Sequence, residues 1–181
     1  MAVSSSMVPL GTPAPDFALP DLTGKLVRRD DLAAAPGLLV AFLCNHCPYV
    51  KHVENQLGVV LAAHPELAAV GICTNDADAY PDDAPAKLAE QAERAKWTFP
   101  YLIDADQVVG RAYNAVCTPD FFLYDADRLL AYRGAFDTST PGNGKPLTGE
   151  LLAGAIEHVL ARTPVPEPHQ ASVGCSIKWR A

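Results

Sequence analysis

Two cysteines separated by two residues, Cys44-Asn45-His46-Cys47, are the side chains of this sequence best suited to chemistry. Thiols at this spacing lie one helical turn apart, so their sulfurs can meet and close a short intramolecular disulfide. The thiolate is the nucleophile in such exchange, and the pair works only where its surroundings favour negative charge. The apolar run Leu38–Leu43, with Gly37 ahead of it, leads straight into Cys44 as a strand buried on both faces would. Behind the motif, Val50, Val53, Leu57, Val60 and Leu61 recur at helical spacing, with Lys51, His52, Glu54 and Asn55 on the other side. A helix beginning near Asn45 places Cys44 against unpaired N–H groups and the positive end of the dipole, which predicts a depressed pKa for it. Cys44 is then the attacking thiol and Cys47 the more buried resolving thiol. Asn45, His46 and Pro48 are the neighbours that tune the pair. An imidazolium at His46 would favour the thiolate and raise the reduction potential, and an exposed loop position is the other reading of the same residue.

A bare C-x-x-C is also half of a zinc site, but no second pair exists, and Cys73, Cys117 and Cys175 stand singly in separate segments. The expectation is no metal and no cofactor beyond the redox-active cysteine pair. Cys73 ends a core strand and is expected to be inert.

The elements that must position the dithiol are legible around it. Phe17–Leu19 and Lys25–Val27 flank a turn at Thr23-Gly24 and suggest a small N-terminal hairpin. Ala68–Cys73 reads as a second strand, and Pro85–Lys96 as a helix with Asp83 as its cap. Phe121–Tyr124 and Leu129–Arg133 form strands about the Asp125-Ala126-Asp127 turn, and Glu150–Arg162 is an apolar helix behind Thr148. The order βαβ followed by ββα describes an α/β fold around one mixed sheet, the thioredoxin arrangement, with an N-terminal hairpin extension and a C-terminal tail. Thr118-Pro119, just ahead of the Phe121 strand, matches the cis-proline loop that faces the dithiol in that fold. The expected divisions are a flexible N-terminus (1–13), the folded domain (14–162) and a Pro-rich tail (163–181) ending in Gly174-Cys175-Ser176-Ile177-Lys178-Trp179.

Bulk properties narrow the partners. The chain of 181 residues carries 14 basic and 21 acidic side chains, a formal charge of −7 that repels nucleic acid and anionic membrane. Its apolar runs fall far short of the roughly 20 residues that cross a bilayer. No basic residue precedes a secretory apolar segment at the start, and the five cysteines do not look like a disulfide framework, so a cytoplasmic location is expected.

Four motifs in order, Ala14-Pro15-Asp16-Phe17, the stretch from Cys44 to His52 reading CNHCPYVKH, Cys117-Thr118-Pro119-Asp120-Phe121, and Gly174 to Trp179, span nearly the whole sequence. On these the chain resembles the thioredoxin-like redoxins of the alkyl hydroperoxide reductase/thiol-specific antioxidant superfamily. The resemblance implies a redox-active dithiol at Cys44 and Cys47, and a cis Pro119 beside a Thr118 backbone that pairs with an extended substrate. Peroxiredoxins of that superfamily set Pro and Thr ahead of the peroxidatic cysteine as PxxxTxxC. Here Cys47 would be preceded by Val40 and Cys44 at those positions, which favours disulfide exchange over peroxide chemistry.

Three activities follow. Thiol–disulfide oxidoreduction leads, with protein disulfides as substrates and a thiol reductant such as a thioredoxin/reductase system as electron donor. A peroxiredoxin-like thiol peroxidase acting on peroxides is the alternative. A copper or zinc thiolate carrier using Cys44 and Cys47 with His46 or Cys117 is the third. Cys117 and Cys175 are auxiliary thiols that relay a disulfide or fill volume, and Trp179 is expected to anchor the tail.

Overall fold

Each residue of Leu38–Phe42 is buried, because this strand lies at the centre of a five-stranded sheet with helices and loops on both faces. The computed structural model describes residues 2–180. In chain order the strands are β1 (Ala2–Ser4), β2 (Ala18–Pro20), β3 (Leu26–Arg28), β4 (Leu38–Phe42), β5 (Ala68–Cys73), β6 (Tyr101–Ile103), β7 (Cys117–Thr118), β8 (Asp120–Tyr124), β9 (Leu130–Gly134) and β10 (Val173–Ser176). The helices are α1 (Pro48–Ala62), α2 (Pro85–Arg94), α3 (Val108–Ala112) and α4 (Glu150–Leu160).

The main sheet runs β6-β5-β4-β8-β9. β5 and β6 lie parallel to the central strand's direction, and β8 and β9 form the antiparallel half. Alternation along β4 divides the core. Leu39, Ala41 and Leu43 pack with Val53, Leu57 and Val60 of α1 and with Leu152 and Ile156 of α4. Leu38, Val40 and Phe42 face the opposite layer, where Phe17, Val27, Val109 and Tyr113 cover them. The β2–β3 hairpin forms as the Thr23-Gly24 turn predicts, with Asp21 accepting from the N–H groups of Thr23 and Lys25.

The sequence expectations differ from this fold at several points. α1 begins at Pro48, not near Asn45, because proline suits the first helical position while holding the residue before it in extended conformation. Cys47 is therefore the N-cap residue, at φ −75° and ψ 124°. Asp83 does not cap α2; the N-cap is Ala84, with no side-chain capping bond. Ala2–Ser4, placed in a flexible terminus by composition, instead forms β1 and pairs with β10 of the tail. The tail does not trail away: β10 joins β7 on its other edge, making a second sheet in the order β1-β10-β7. None of the helices among the described residues is long and apolar enough to cross a membrane.

Candidate active site

Cys44 leaves the end of β4 and Cys47 opens α1, so the dithiol occupies the crossing from central strand to helix. Both residues are fully buried. Thr118 faces both of them: its hydroxyl lies 3.1 Å from Cys44 Sγ, and its carbonyl oxygen lies 3.1 Å from Cys47 Sγ. The Thr118-Pro119 peptide is cis, as the position before the Phe121 strand predicts.

The two residues between the cysteines are fixed by a carboxylate from the loop before α2. Asp83 Oδ1 accepts from the backbone N–H of Asn45 at 2.8 Å and of His46 at 3.2 Å. Its Oδ2 meets His46 Nδ1 at 2.7 Å and accepts from Asn75 Nδ2 at 2.8 Å. Burial alone would raise the Asp83 pKa, but the His46 and Asn75 side chains and the Asn45 amide outweigh it and hold the carboxylate below its ordinary range. Asn45 is further pinned, donating to the Asp82 carbonyl at 2.9 Å and accepting from Arg94 Nη2 at 2.7 Å. Gln91 donates to the Cys44 carbonyl at 3.0 Å, and His46 stacks on Tyr80 with ring centroids 5.3 Å apart. Asp83, Gln91, Arg94 and Asn75 were not visible as site residues in the sequence. Asp83 beside Pro85 carries the signature of a helix cap, and only the fold turns it toward the cysteines.

This environment shifts the two thiols in opposite directions. The Cys47 pKa is lowered, chiefly by the neighbouring Cys44 thiol and further by the Cys175 thiol and the N–H groups of Val50 and Cys175, with burial opposing them. The Thr118 carbonyl, 3.1 Å from Cys47 Sγ, accepts from its thiol and is the contact favouring the proton there. Cys44 is pushed well up, by its hydrogen bond to Cys47, by burial and by the negative charge of Asp83, with the Thr118 hydroxyl acting in the other direction. These opposite shifts favour the thiolate on Cys47, at the N-terminus of α1, over Cys44.

The remaining cysteines separate clearly. Cys73 is buried at the end of β5, and burial pushes its thiol up. Cys117 is fully buried, directs its thiol at the Pro119 carbonyl at 3.5 Å, and is pushed up by burial and by Asp120. Cys175 lies on β10 opposite Thr118 and packs against the cluster containing Cys44 and Cys47. Among the described residues, Cys44, His46 and Asp83 place donor atoms within 4.8 Å of one another. Of the ligands expected for a soft-metal carrier, Cys44 and His46 belong to that group and Cys47 and Cys117 do not, and the Asp83 oxygens accept from the Asn45 and His46 backbone N–H groups and from Asn75 Nδ2.

Asp120, two residues past Thr118, is fully buried, and burial pushes its carboxyl up to about 7. The folded chain therefore holds a proton that the unfolded chain releases above its ordinary value of 3.8, so stability falls as pH rises from there to about 7. Asp120→Asn has no such titration. Scanning calorimetry at about pH 4 and about pH 8 is expected to show a Tm loss of several degrees in the wild type that the variant lacks. An equal loss in both would assign the pH dependence elsewhere.

Comparison with known proteins agrees with this architecture. A conserved, uncharacterised protein of Geobacillus kaustophilus is 44% identical, with a TM-score of 0.96 over 99% of this chain and 97% of that one. A hypothetical protein of Sinorhizobium meliloti 1021 is 43% identical, with a TM-score of 0.96 over 98% of each chain. A secreted disulfide oxidoreductase of Mycobacterium tuberculosis, homologous to Escherichia coli DsbE, shares the thioredoxin fold at 23% identity, with a TM-score of 0.61 over 78% of this chain and 94% of that one. No curated protein matches the chain. The profile of the AhpC/TSA family matches residues 10–133, which include the dithiol, Asp83 and the cis-proline loop, and the chain belongs to that family of thioredoxin-fold redoxins.

Proposed function

We propose that this protein is a thiol–disulfide oxidoreductase that cycles Cys44 and Cys47 between dithiol and disulfide, acting on protein disulfides in the cytoplasm. The observation carrying this reading is the placement of both sulfurs 3.1 Å from Thr118, with Cys47 at a helix N-terminus and Cys44 beside it. Cys47 thiolate attacks a substrate sulfur and forms a mixed disulfide, releasing the first substrate thiolate. Cys44 then attacks Cys47 Sγ as it loses its proton, the second substrate thiolate leaves, and the Cys44–Cys47 disulfide remains. A thiol reductant such as a thioredoxin system returns the pair to dithiol, and no bound cofactor takes part. The test is reduction of insulin disulfides by dithiothreitol with catalytic amounts of the protein. Acceleration that disappears when Cys44 and Cys47 are both replaced by serine is the expected result. Equal acceleration by the double variant overturns the reading.

One observation favours a second activity. Cys47, the thiol with the lowered pKa, directly precedes Pro48 at the helix N-terminus, so a thiol peroxidase reaction at Cys47 is the alternative. Val40 and Cys44 occupy the positions where the peroxiredoxin pattern has Pro and Thr, which weighs against it. Dimedone trapping of sulfenic acid on Cys47 at substoichiometric hydrogen peroxide would support the peroxidase; no adduct under rapid peroxide consumption would remove it.

A further inference from the structure

The edge of β7 that an extended substrate would pair with is already filled. β10 of the chain's own tail runs antiparallel to it, with Cys175 opposite Thr118 and Ser176 opposite Cys117. Paired residues direct their side chains to the same face of a two-stranded ribbon. Since the Thr118 hydroxyl meets Cys44, the Cys175 side chain is on the dithiol side, packed against the cluster that holds Cys44 and Cys47. Gly174 makes the approach possible: a Cβ there would overlap the Thr118 carbonyl oxygen and lie 2.6 Å from its carbon.

The strand is also built to stay. Ile177 N donates to the Val116 carbonyl at 3.0 Å, and Lys178 N donates to Asn75 Oδ1 at 2.8 Å. Gln107 donates to the Lys178 carbonyl at 2.9 Å and accepts from Arg180 N at 2.8 Å. Trp179 receives the Arg111 guanidinium over its ring at 4.4 Å. On the other edge, β1 pairs with β10 from Ser4 to Ala2. With this cover in place Cys44 and Cys47 are sealed, whereas Cys175 is only partly buried.

We propose that Cys175 is a third redox thiol, held by the tail strand in the place of a substrate cysteine, and that electrons pass between the sealed Cys44–Cys47 pair and outside disulfides through a Cys47–Cys175 disulfide. The proposal rests on the oxidoreductase reading above and inserts one exchange into it. Cys175, whose thiol is pushed up to about 11 by burial and by Cys47, attacks a substrate disulfide, forming a Cys175–substrate bond and releasing the first substrate thiolate, which takes the Cys175 proton. Cys47 thiolate attacks Cys175 Sγ, forming Cys47–Cys175 and releasing the second. Cys44 attacks Cys47 Sγ, forming Cys44–Cys47, and its proton restores the Cys175 thiol. Cys44 and Cys47 have then lost two electrons together, the substrate disulfide has gained them, and a proton from solvent neutralises the second product, the first having taken that of Cys175.

Full-length Cys44→Ser protein, reduced and then given oxidised glutathione, tests this by alkylation and peptide mapping without reduction. The expected product is a peptide pair joined through Cys47 and Cys175, because serine at position 44 cannot open it. Cys47 left free or carrying glutathione, with Cys175 unlinked, overturns the proposal. Adding Gly174→Ala keeps Cys175 but forces the strand off Thr118, and is expected to abolish the joined pair; its persistence overturns the strand-held geometry. In the insulin assay Cys175→Ser is expected to be slower by roughly tenfold or more, and an unchanged rate also overturns the relay. If the relay fails while Cys175→Ser still forms the Cys44–Cys47 disulfide, the oxidoreductase reading stands alone. If the wild type forms no Cys44–Cys47 disulfide, that reading fails first.

Discussion

Cys47→Ser is expected to lower catalytic disulfide reduction by roughly a thousandfold or more and to form no internal disulfide, whereas Cys44→Ser is expected to complete one stoichiometric turnover and stop with Cys47 held in a disulfide. The asymmetry follows from the proton assignment. Cys47 is the N-cap of α1, and its neighbours Cys44, Val50 and Cys175 lower its pKa. Cys44 is kept protonated by its bond to Cys47, its burial and the Asp83 carboxylate. Removing Cys47 removes the thiolate, and a serine hydroxyl does not replace it at neutral pH. Removing Cys44 leaves the thiolate able to react once, with nothing to resolve the product. Quenched-flow mixing with a stoichiometric disulfide, followed by counting of free thiols, separates the two variants. A substrate disulfide held on Cys44 in Cys47→Ser, and Cys47 left free in Cys44→Ser, would restore the order expected from the C-x-x-C spacing alone.

Asp83→Ala is expected to cost about 3–5 kcal/mol of stability, lowering Tm by roughly 10 °C. The side chain is fully buried and is the common acceptor for the Asn45 and His46 backbone N–H groups, the His46 ring and the Asn75 amide. Alanine leaves buried donors without partners and frees the loop that sets the distance between the cysteines. Asp83→Asn keeps one carbonyl oxygen for the backbone donors while removing the charge, so it should lose less stability and at the same time lower the Cys44 pKa. The carboxylate's folded pKa lies below the ordinary 3.8, so its stabilisation is complete above that pH and disappears as pH falls below it. Thermal denaturation with alkylation rates against pH reads both effects. Equal stability of Asp83→Ala and wild type would show that Asp83 does not support the loop.

The parts of the fold that carry their own local pattern were legible in the sequence. The apolar run Leu38–Leu43, the second strand Ala68–Cys73 and the helical spacing from Val50 to Leu61 each point to the element that forms. The Thr118-Pro119 position and the anchoring of Trp179 were legible for similar reasons, since a turn residue before a strand and a lone aromatic in a tail each have few uses. What could not be read depends on distant pairing. β6 and β1 are three-residue strands, and α3 spans five residues, too short for periodicity to show. β10 exists as a strand only because β1 and β7 flank it from the far ends of the chain. The site followed the same division. Cys44, Cys47 and Thr118 were identified from spacing, but which cysteine carries the charge depends on Pro48 starting the helix one residue after Cys47, on Asp83 from another loop, and on Cys175 from the tail.

The most direct test of the dithiol is an equilibrium titration of the full chain in dithiothreitol redox buffers, with acid quenching, alkylation and non-reducing peptide maps at each point. The expected result is a single two-electron transition in which Cys44 and Cys47 disappear together as thiols and reappear joined to each other, while Cys73 and Cys117 stay reduced throughout. Cys44 and Cys47 remaining as free thiols at potentials where the protein is oxidised elsewhere would contradict it.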